Sequence, residues 1–153
     1  MTTFVGEQKD FSNALYALCE LDYDAVEAYK AAINHLESEG YKARLYQFML
    51  DHERQIKDIS EALVKHQKLL PQKLDAKQYI TQGKIVLASL FGDQAILKAM
   101  LTNEVDTNTA YFRVKNHPDK WPEIDMVIEM GLNHEKKHKQ WLINATRNTF
   151  ADA

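Results

Sequence analysis

The chain contains little glycine and proline and almost no cysteine, and each scarcity excludes a class of protein. Its 153 residues include five glycines, three prolines and one cysteine, Cys19. Because the turns of β-rich folds depend on glycine and proline, we expect long helices rather than an all-β fold. A single cysteine cannot form an intrachain disulfide. We therefore expect a reducing, cytoplasmic location and a buried, apolar role for Cys19.

Long apolar runs and an excess of positive charge are also missing. No run approaches the roughly 20 residues that a membrane span requires, and the first ten residues lack the basic-then-apolar pattern of a signal peptide. The formal net charge is −3, and the chain carries no basic stripe. Neither a membrane nor a nucleic acid is therefore an expected partner. The length suits one domain, residues 1–153, with a single core.

Apolar residues recur at helical spacing in four long segments. Asp10 can cap the first helix and Gly40 can end it, Pro71 closes the second, and Pro122 opens the last. The predicted helices cover about residues 10–39, 41–69, 93–116 and 120–149, with a short helix over 84–91. Short, long and short connections between four helices predict an all-α, antiparallel four-helix bundle with one long crossover.

The two halves of the chain match each other without gaps at an offset of 82 residues (104 − 22). An acid, a tyrosine and a His-Glu pair recur, as Asp22, Tyr29 and His52-Glu53 in the first half and Glu104, Tyr111 and His134-Glu135 in the second. Shared heptad spacing explains coincidences of apolar residues, but it does not explain these polar ones. A duplicated helical hairpin is the better explanation, with the halves 10–69 and 93–149 related by a pseudo-twofold axis.

Four acids of these halves fall on or beside the apolar stripes of the predicted helices, namely Asp22, Glu53, Glu104 and Glu135. Buried carboxylates are costly as anions unless they are protonated or share a cation. Carboxylates combined with imidazole suit iron or manganese, and Glu135 and His138 can reach one metal from the same helix face. The alternative is that these acids are solvated, as most helical glutamates are.

These residues resemble the metal-binding frame of the ferritin-like superfamily, which includes rubrerythrins and bacterioferritins. That family carries an acid on helix one, Glu-x-x-His on helix two, Glu on helix three and Glu-x-x-His on helix four. Asp22, Glu104 and the pair Glu135 and His138 match this frame, and the resemblance covers about residues 10–148. The segments around these acids look like those of small bacterial ferritin-like domain proteins, some of them stress-associated. The resemblance implies a ferritin-like bundle with a carboxylate-bridged metal site.

The second helix departs from the family pattern. Ile56 stands three residues after Glu53, where the family has histidine. His52 is a candidate replacement ligand, although a buried, hydrogen-bonded histidine is the commoner role. Tyr29 and Tyr111 each follow an acid by seven residues. They could hydrogen-bond to the site carboxylates, act as redox-active aromatics beside the metal, or simply pack in the core.

Two functions follow from the resemblance. The first is an iron protein, or a manganese protein, with one or two metal ions, which reacts with oxygen or peroxide or handles iron under stress. The second is a non-catalytic bundle with a degenerate site that serves as a structural or interaction protein, and the isoleucine at position 56 supports it. In both cases we expect a homodimer, because the aromatic residues and the extra short helix leave apolar surface.

Overall fold

The computed structural model describes residues 3–72 and 90–151, with side chains up to Arg147. Within these ranges the chain forms helices and no strand, which confirms the predicted all-α four-helix bundle. The long helices are α1 (Phe11–His35), α2 (Glu39–Lys65), α3 (Asp93–Lys115) and α4 (Asp125–Ala151), and a 3-10 turn (Pro122–Ile124) precedes α4. Most of the predicted short helix over 84–91 lies outside the described residues. None of the described helices is both long enough and apolar enough to cross a membrane.

The boundary between α1 and α2 differs from the predicted one. α1 ends at His35, and Ser38 caps the start of α2 by accepting a hydrogen bond from the N–H of Tyr41 at 3.2 Å. The carboxylate of Asp93, at the start of α3, accepts a hydrogen bond from the backbone N–H of Ser38 at 2.9 Å. Gly40 therefore lies inside α2 and does not stop a helix, because a serine cap held by a distant acid sets the boundary instead. α2 also ends at Lys65, four residues before the predicted residue 69.

Two apolar clusters fill the interior, and a polar layer separates them. One cluster contains Tyr29, Phe48 and Leu142, and the other contains Leu15 and Ile59. On each long helix, one or two buried polar residues fall in sequence between the members of one cluster and those of the other. The polar layer consists of Asp22, His52, Gln55, Glu104, Glu135 and His138, each at most 3% exposed. Most of the residues predicted for the site therefore lie in the middle of the bundle.

The buried faces of the two halves correspond at two different offsets. In the first helix of each half, Leu15, Leu18, Asp22 and Tyr29 of α1 correspond to Leu97, Met100, Glu104 and Tyr111 of α3, an offset of 82 (104 − 22). In the second helix, Leu45, Phe48, His52, Gln55 and Ile59 of α2 correspond to Ile128, Gly131, Glu135, His138 and Leu142 of α4, an offset of 83 (135 − 52). The gap-free match is therefore wrong by one residue on the second helix.

The single cysteine, Cys19, is buried in α1, as predicted. Burial, reinforced by the negative charge of Asp22, raises the pKa of its thiol to about 12. Because the thiolate is the reactive form, we expect a disulfide reagent to label the native protein at least about a hundredfold more slowly than the unfolded chain. Labelling time courses at pH 8, with and without urea, measure the ratio. Equal rates would show that the thiol is accessible in the folded protein.

Candidate metal centre

The polar layer brings together side chains from all four helices because each of them lies on the inward stripe of its helix. Steps of three and four residues place His52 and Gln55 on the same face of α2 as the core residue Ile59. The same spacing places Glu135 and His138 inward on α4. α1 and α3 contribute the acids of the layer, Asp22 and Glu104.

Each histidine of the polar layer lies between an aspartate and Glu104. The Nδ1 atom of His52 lies 2.8 Å from Asp22 Oδ1, and its Nε2 atom lies 3.3 Å from Glu104 Oε1. The Nε2 atom of His138 lies 2.8 Å from Asp51 Oδ2, and its Nδ1 atom lies 3.4 Å from Glu104 Oε1. Asp51 itself is 26% exposed at its side chain. Each imidazole is therefore held by an aspartate at one nitrogen and directs the other toward the centre.

Tyr29 and Tyr111, the two tyrosines predicted near the site, each donate a hydrogen bond to a carboxylate of the opposite half. The hydroxyl of Tyr29 donates to Glu104 Oε1, and the hydroxyl of Tyr111 donates to Asp22 Oδ2 at 2.5 Å. Burial and the neighbouring carboxylates raise the pKa of both hydroxyls well above the usual value. Tyr29 and Tyr111 are therefore neutral donors that fix the orientation of the two acids.

Gln55 adds an amide to the layer. Its Nε2 atom lies 3.1 Å from Asp22 Oδ1, 2.7 Å from the hydroxyl of Tyr111 and 2.9 Å from Glu135 Oε1. Its Oε1 atom lies 3.3 Å from His134 Nδ1. The amide group thus donates hydrogen bonds toward the centre and accepts one on its outer side.

Three buried polar atoms have no hydrogen-bond partner among the described residues: Glu104 Oε2, Glu135 Oε2 and His138 Nδ1. Unpaired buried groups of this kind cost free energy unless a ligand satisfies them. When the Nε2–H of His138 donates to Asp51, its Nδ1 atom presents a lone pair, the form that binds a metal. One potential ligand atom from each of His52, Glu104, Glu135 and His138 lies within 4.8 Å of the others. This buried group could therefore hold a metal ion.

The two glutamates of the centre differ in acidity. Burial, together with the negative charge of Glu104, raises the pKa of Glu135 well above its usual value. Burial also opposes the ionisation of Glu104, but the favourable interactions of its carboxylate with the neighbouring Glu135, His138 and His52 outweigh it and hold the pKa of Glu104 well below its usual range. Without a bound cation, Glu135 therefore retains a proton that a metal would have to displace.

Five of the six predicted ligands lie in the polar layer, namely Asp22, His52, Glu104, Glu135 and His138. Glu53 does not, because it is exposed on α2. Glu53 directly follows His52, and successive residues of an α-helix lie about 100° apart around its axis. Because His52 faces the interior, Glu53 does not, and its predicted inward position is wrong. Ile56 is partly buried against both apolar clusters. It is therefore not the position of a missing histidine.

Two residues of the site, Gln55 and Asp51, were missed by the sequence analysis. The signal that could have found them is a one-residue gap in the internal match. With that gap, His52 pairs with Glu135, and Gln55 pairs with His138. The gap also pairs Asp51 with His134. Asp51 contacts His138 and His134 contacts Gln55, each from the outer side of the layer.

Comparison of the chain with protein-family models, with curated proteins and with solved structures finds no match. The resemblance to the ferritin-like superfamily is therefore a hypothesis carried by the residues themselves.

Gly131 allows α4 to approach the ring of Tyr111. A Cβ atom at this position would lie 3.0 Å from Tyr111 Cδ1 and nearer still to Cε1. We expect Gly131→Ala to displace the ring and weaken its hydrogen bond to Asp22, lowering the free energy of unfolding by about 1–3 kcal/mol. In the control Gly40→Ala, the nearest atom is 3.7 Å away, and removing a helical glycine should be neutral or stabilising by up to about 1 kcal/mol. Urea titrations of both variants measure the difference, and equal effects would contradict the prediction.

Proposed function

We propose that this protein is a ferritin-like metalloprotein that binds iron or manganese in the polar layer and reacts with oxygen or peroxide. The observation that carries the proposal is the convergence of three unpartnered buried atoms, from Glu104, Glu135 and His138. Carboxylate oxygens combined with imidazole nitrogens suit ferrous and manganous ions. Cys19 adds no soft sulfur ligand, since it is buried in an apolar cluster.

The position of the centre supports a small substrate. Glu104, Glu135 and His138 are at most 2% exposed, and apolar clusters flank the layer. A bound iron would supply one-electron redox chemistry toward oxygen or peroxide. The residues of the chain would bind the metal and orient its ligands: Asp51 holds the imidazole of His138, and Tyr29 holds Glu104. A bulky organic substrate has no place in so enclosed a layer, whereas a small, neutral oxidant can penetrate a bundle.

The test is to measure the elemental composition of the purified protein and then to titrate the protein anaerobically with ferrous and manganous ions. We expect saturable binding. Exposure of the ferrous form to oxygen or to hydrogen peroxide should then produce ferric absorption more quickly than iron does in buffer. Absence of bound metal, both in the purified protein and at the end of the titrations, would refute the proposal.

A second function, that of a non-catalytic bundle, is favoured by one observation. Asp22 already receives hydrogen bonds from His52, Gln55 and Tyr111. Much of the layer is thus satisfied by the chain itself, as in a structural core. Under this alternative, the protein folds with unchanged stability in the presence of a chelator and takes up no metal in the same titrations.

A further inference from the structure

The correspondence between the halves shows where a second metal ion would have to bind. On one side of the polar layer, Glu135 and His138 of α4 stand beside Glu104 of α3. On the other side, the equivalent positions are occupied by His52 and Gln55 of α2 beside Asp22 of α1. Where one side has Glu-x-x-His, the other therefore has His-x-x-Gln.

The hydrogen bonds follow the same correspondence, which shows that it is not a coincidence of spacing. Each tyrosine donates to the acid of the opposite half, Tyr29 to Glu104 and Tyr111 to Asp22. The outer pairs also match: Asp51 contacts His138 at 2.8 Å, and its equivalent His134 contacts Gln55 at 3.3 Å. The two sides thus share one geometry from the centre to the rim.

The chemistry of the two sides is different. The unpartnered atoms all belong to Glu104, Glu135 and His138 among the residues described. On the other side, the amide nitrogen of Gln55 lies within 3.1 Å of three acceptor oxygens. An amide NH₂ group presents hydrogens rather than a lone pair. The space equivalent to that of His138 is therefore filled by a donor that cannot bind a metal.

His52 differs from Gln55 because its second nitrogen, which contacts Glu104, belongs to an imidazole and can lose its proton to a metal. Its Nδ1 atom is 2.8 Å from Asp22, as the Nε2 atom of His138 is 2.8 Å from Asp51. In both histidines the remaining nitrogen faces Glu104, at 3.3 Å and 3.4 Å. A histidine that donates one N–H to a carboxylate has its other nitrogen oriented for a metal.

We propose that the centre holds one metal ion per chain, with two histidine and two glutamate ligands, and that Gln55 closes the second position. The ligands are His52, Glu104, Glu135 and His138. Asp22, which the resemblance implies as a ligand, is instead a positioning residue for His52, as Asp51 is for His138. This inference rests on the proposed function, because it specifies the stoichiometry and ligands of the same centre.

The test is the stoichiometry of manganous ion, measured by native mass spectrometry and by electron paramagnetic resonance. We expect the parent protein to bind one ion with the spectrum of an isolated manganous centre. The double variant His52→Glu/Gln55→His gives both sides the same ligand types, and we expect it to bind two ions with a spin-coupled spectrum. Ile56→His, which adds a histidine at the position suggested by the gap-free match, is the control and should bind one ion.

The possible outcomes separate this inference from the proposed function. Two tightly bound ions in the parent protein would overturn the single-metal centre but leave the metal-binding proposal intact. No bound ion in the parent would overturn the proposed function itself. A folded double variant that still binds one ion would show that His52 and Gln55 do not close the second position.

A further pair of variants keeps the inference testable if the double variant does not fold. Asp22→Asn and Asp51→Asn should each weaken manganous binding by about 10–100-fold, the usual effect of removing an outer carboxylate. The stoichiometry should remain one ion in both. If Asp22 were instead a ligand of a second metal, the parent would bind two ions and Asp22→Asn would bind one.

Discussion

His138→Ala is expected to lower the affinity for iron or manganese by at least about a hundredfold. The substitution removes the one buried imidazole nitrogen that has no hydrogen-bond partner among the described residues, while Asp51 already holds the other nitrogen. Loss of a direct ligand should exceed the roughly 10–100-fold effect of losing an outer partner. Isothermal titration of the metal-free protein with ferrous or manganous ion, under anaerobic conditions, measures the change.

His35→Ala is the matched control for this experiment. His35 is the last residue of α1 and is exposed to solvent, so its removal should leave the affinity unchanged. Circular dichroism of both variants checks that the helices are intact. A His138→Ala protein that is folded and binds the metal as tightly as the parent would remove His138 from the ligand set.

The second large effect concerns stability. We expect His52→Leu to lower the free energy of unfolding by about 3–5 kcal/mol, because it deprives the buried carboxylate of Asp22 of its imidazole partner. The comparison requires a chelator, so that metal loss does not contribute. Urea unfolding at pH 7 measures the difference, and a loss below about 0.5 kcal/mol would show that the pair does not stabilise the fold.

A double variant identifies the unpaired charge as the cause. Asp22→Asn removes the charge, so His52→Leu/Asp22→Asn should be more stable than His52→Leu alone. The pH dependence has a definite sign. Burial already raises the pKa of Asp22, and loss of His52 raises it further, so the unpaired carboxyl takes up a proton as the pH falls. The difference in stability between His52→Leu and His52→Leu/Asp22→Asn, both of which lack His52 and differ only in the titration of Asp22, should therefore be smaller at pH 5 than at pH 8.

The helices and most of the polar layer could be predicted from the sequence because they depend on local patterns. Asp22 and Glu104 stand at helical spacing between apolar residues that are themselves buried. Glu135 and His138 stand between Ile128 and Leu142 on the same stripe, and all four are core residues in the structure. Helical periodicity alone is sufficient to place such residues.

The orientation of α2 could not be predicted in the same way because this helix is apolar on two neighbouring stripes. Phe48 and Ile59 mark the stripe that is most deeply buried, but Met49 is also buried and Ile56 partly so. Both stripes therefore fit the apolar pattern. The choice depends on the start of α2, where Asp93 contacts Ser38 across 55 residues of sequence, and a local pattern contains no information about that contact.

Because the two offsets differ by one residue, the length of a loop can determine which side chains face the interior of the bundle. Adding or removing a single residue in an exposed turn is a common change in proteins, and an α-helix that absorbs it by rotation turns by about 100°. For α2, that rotation would exchange the inward pair His52 and Gln55 for Glu53 and Ile56. The number of residues between two helices, rather than any substitution inside them, can thus decide whether the interior of this bundle offers an imidazole and an amide or a carboxylate and a hydrocarbon.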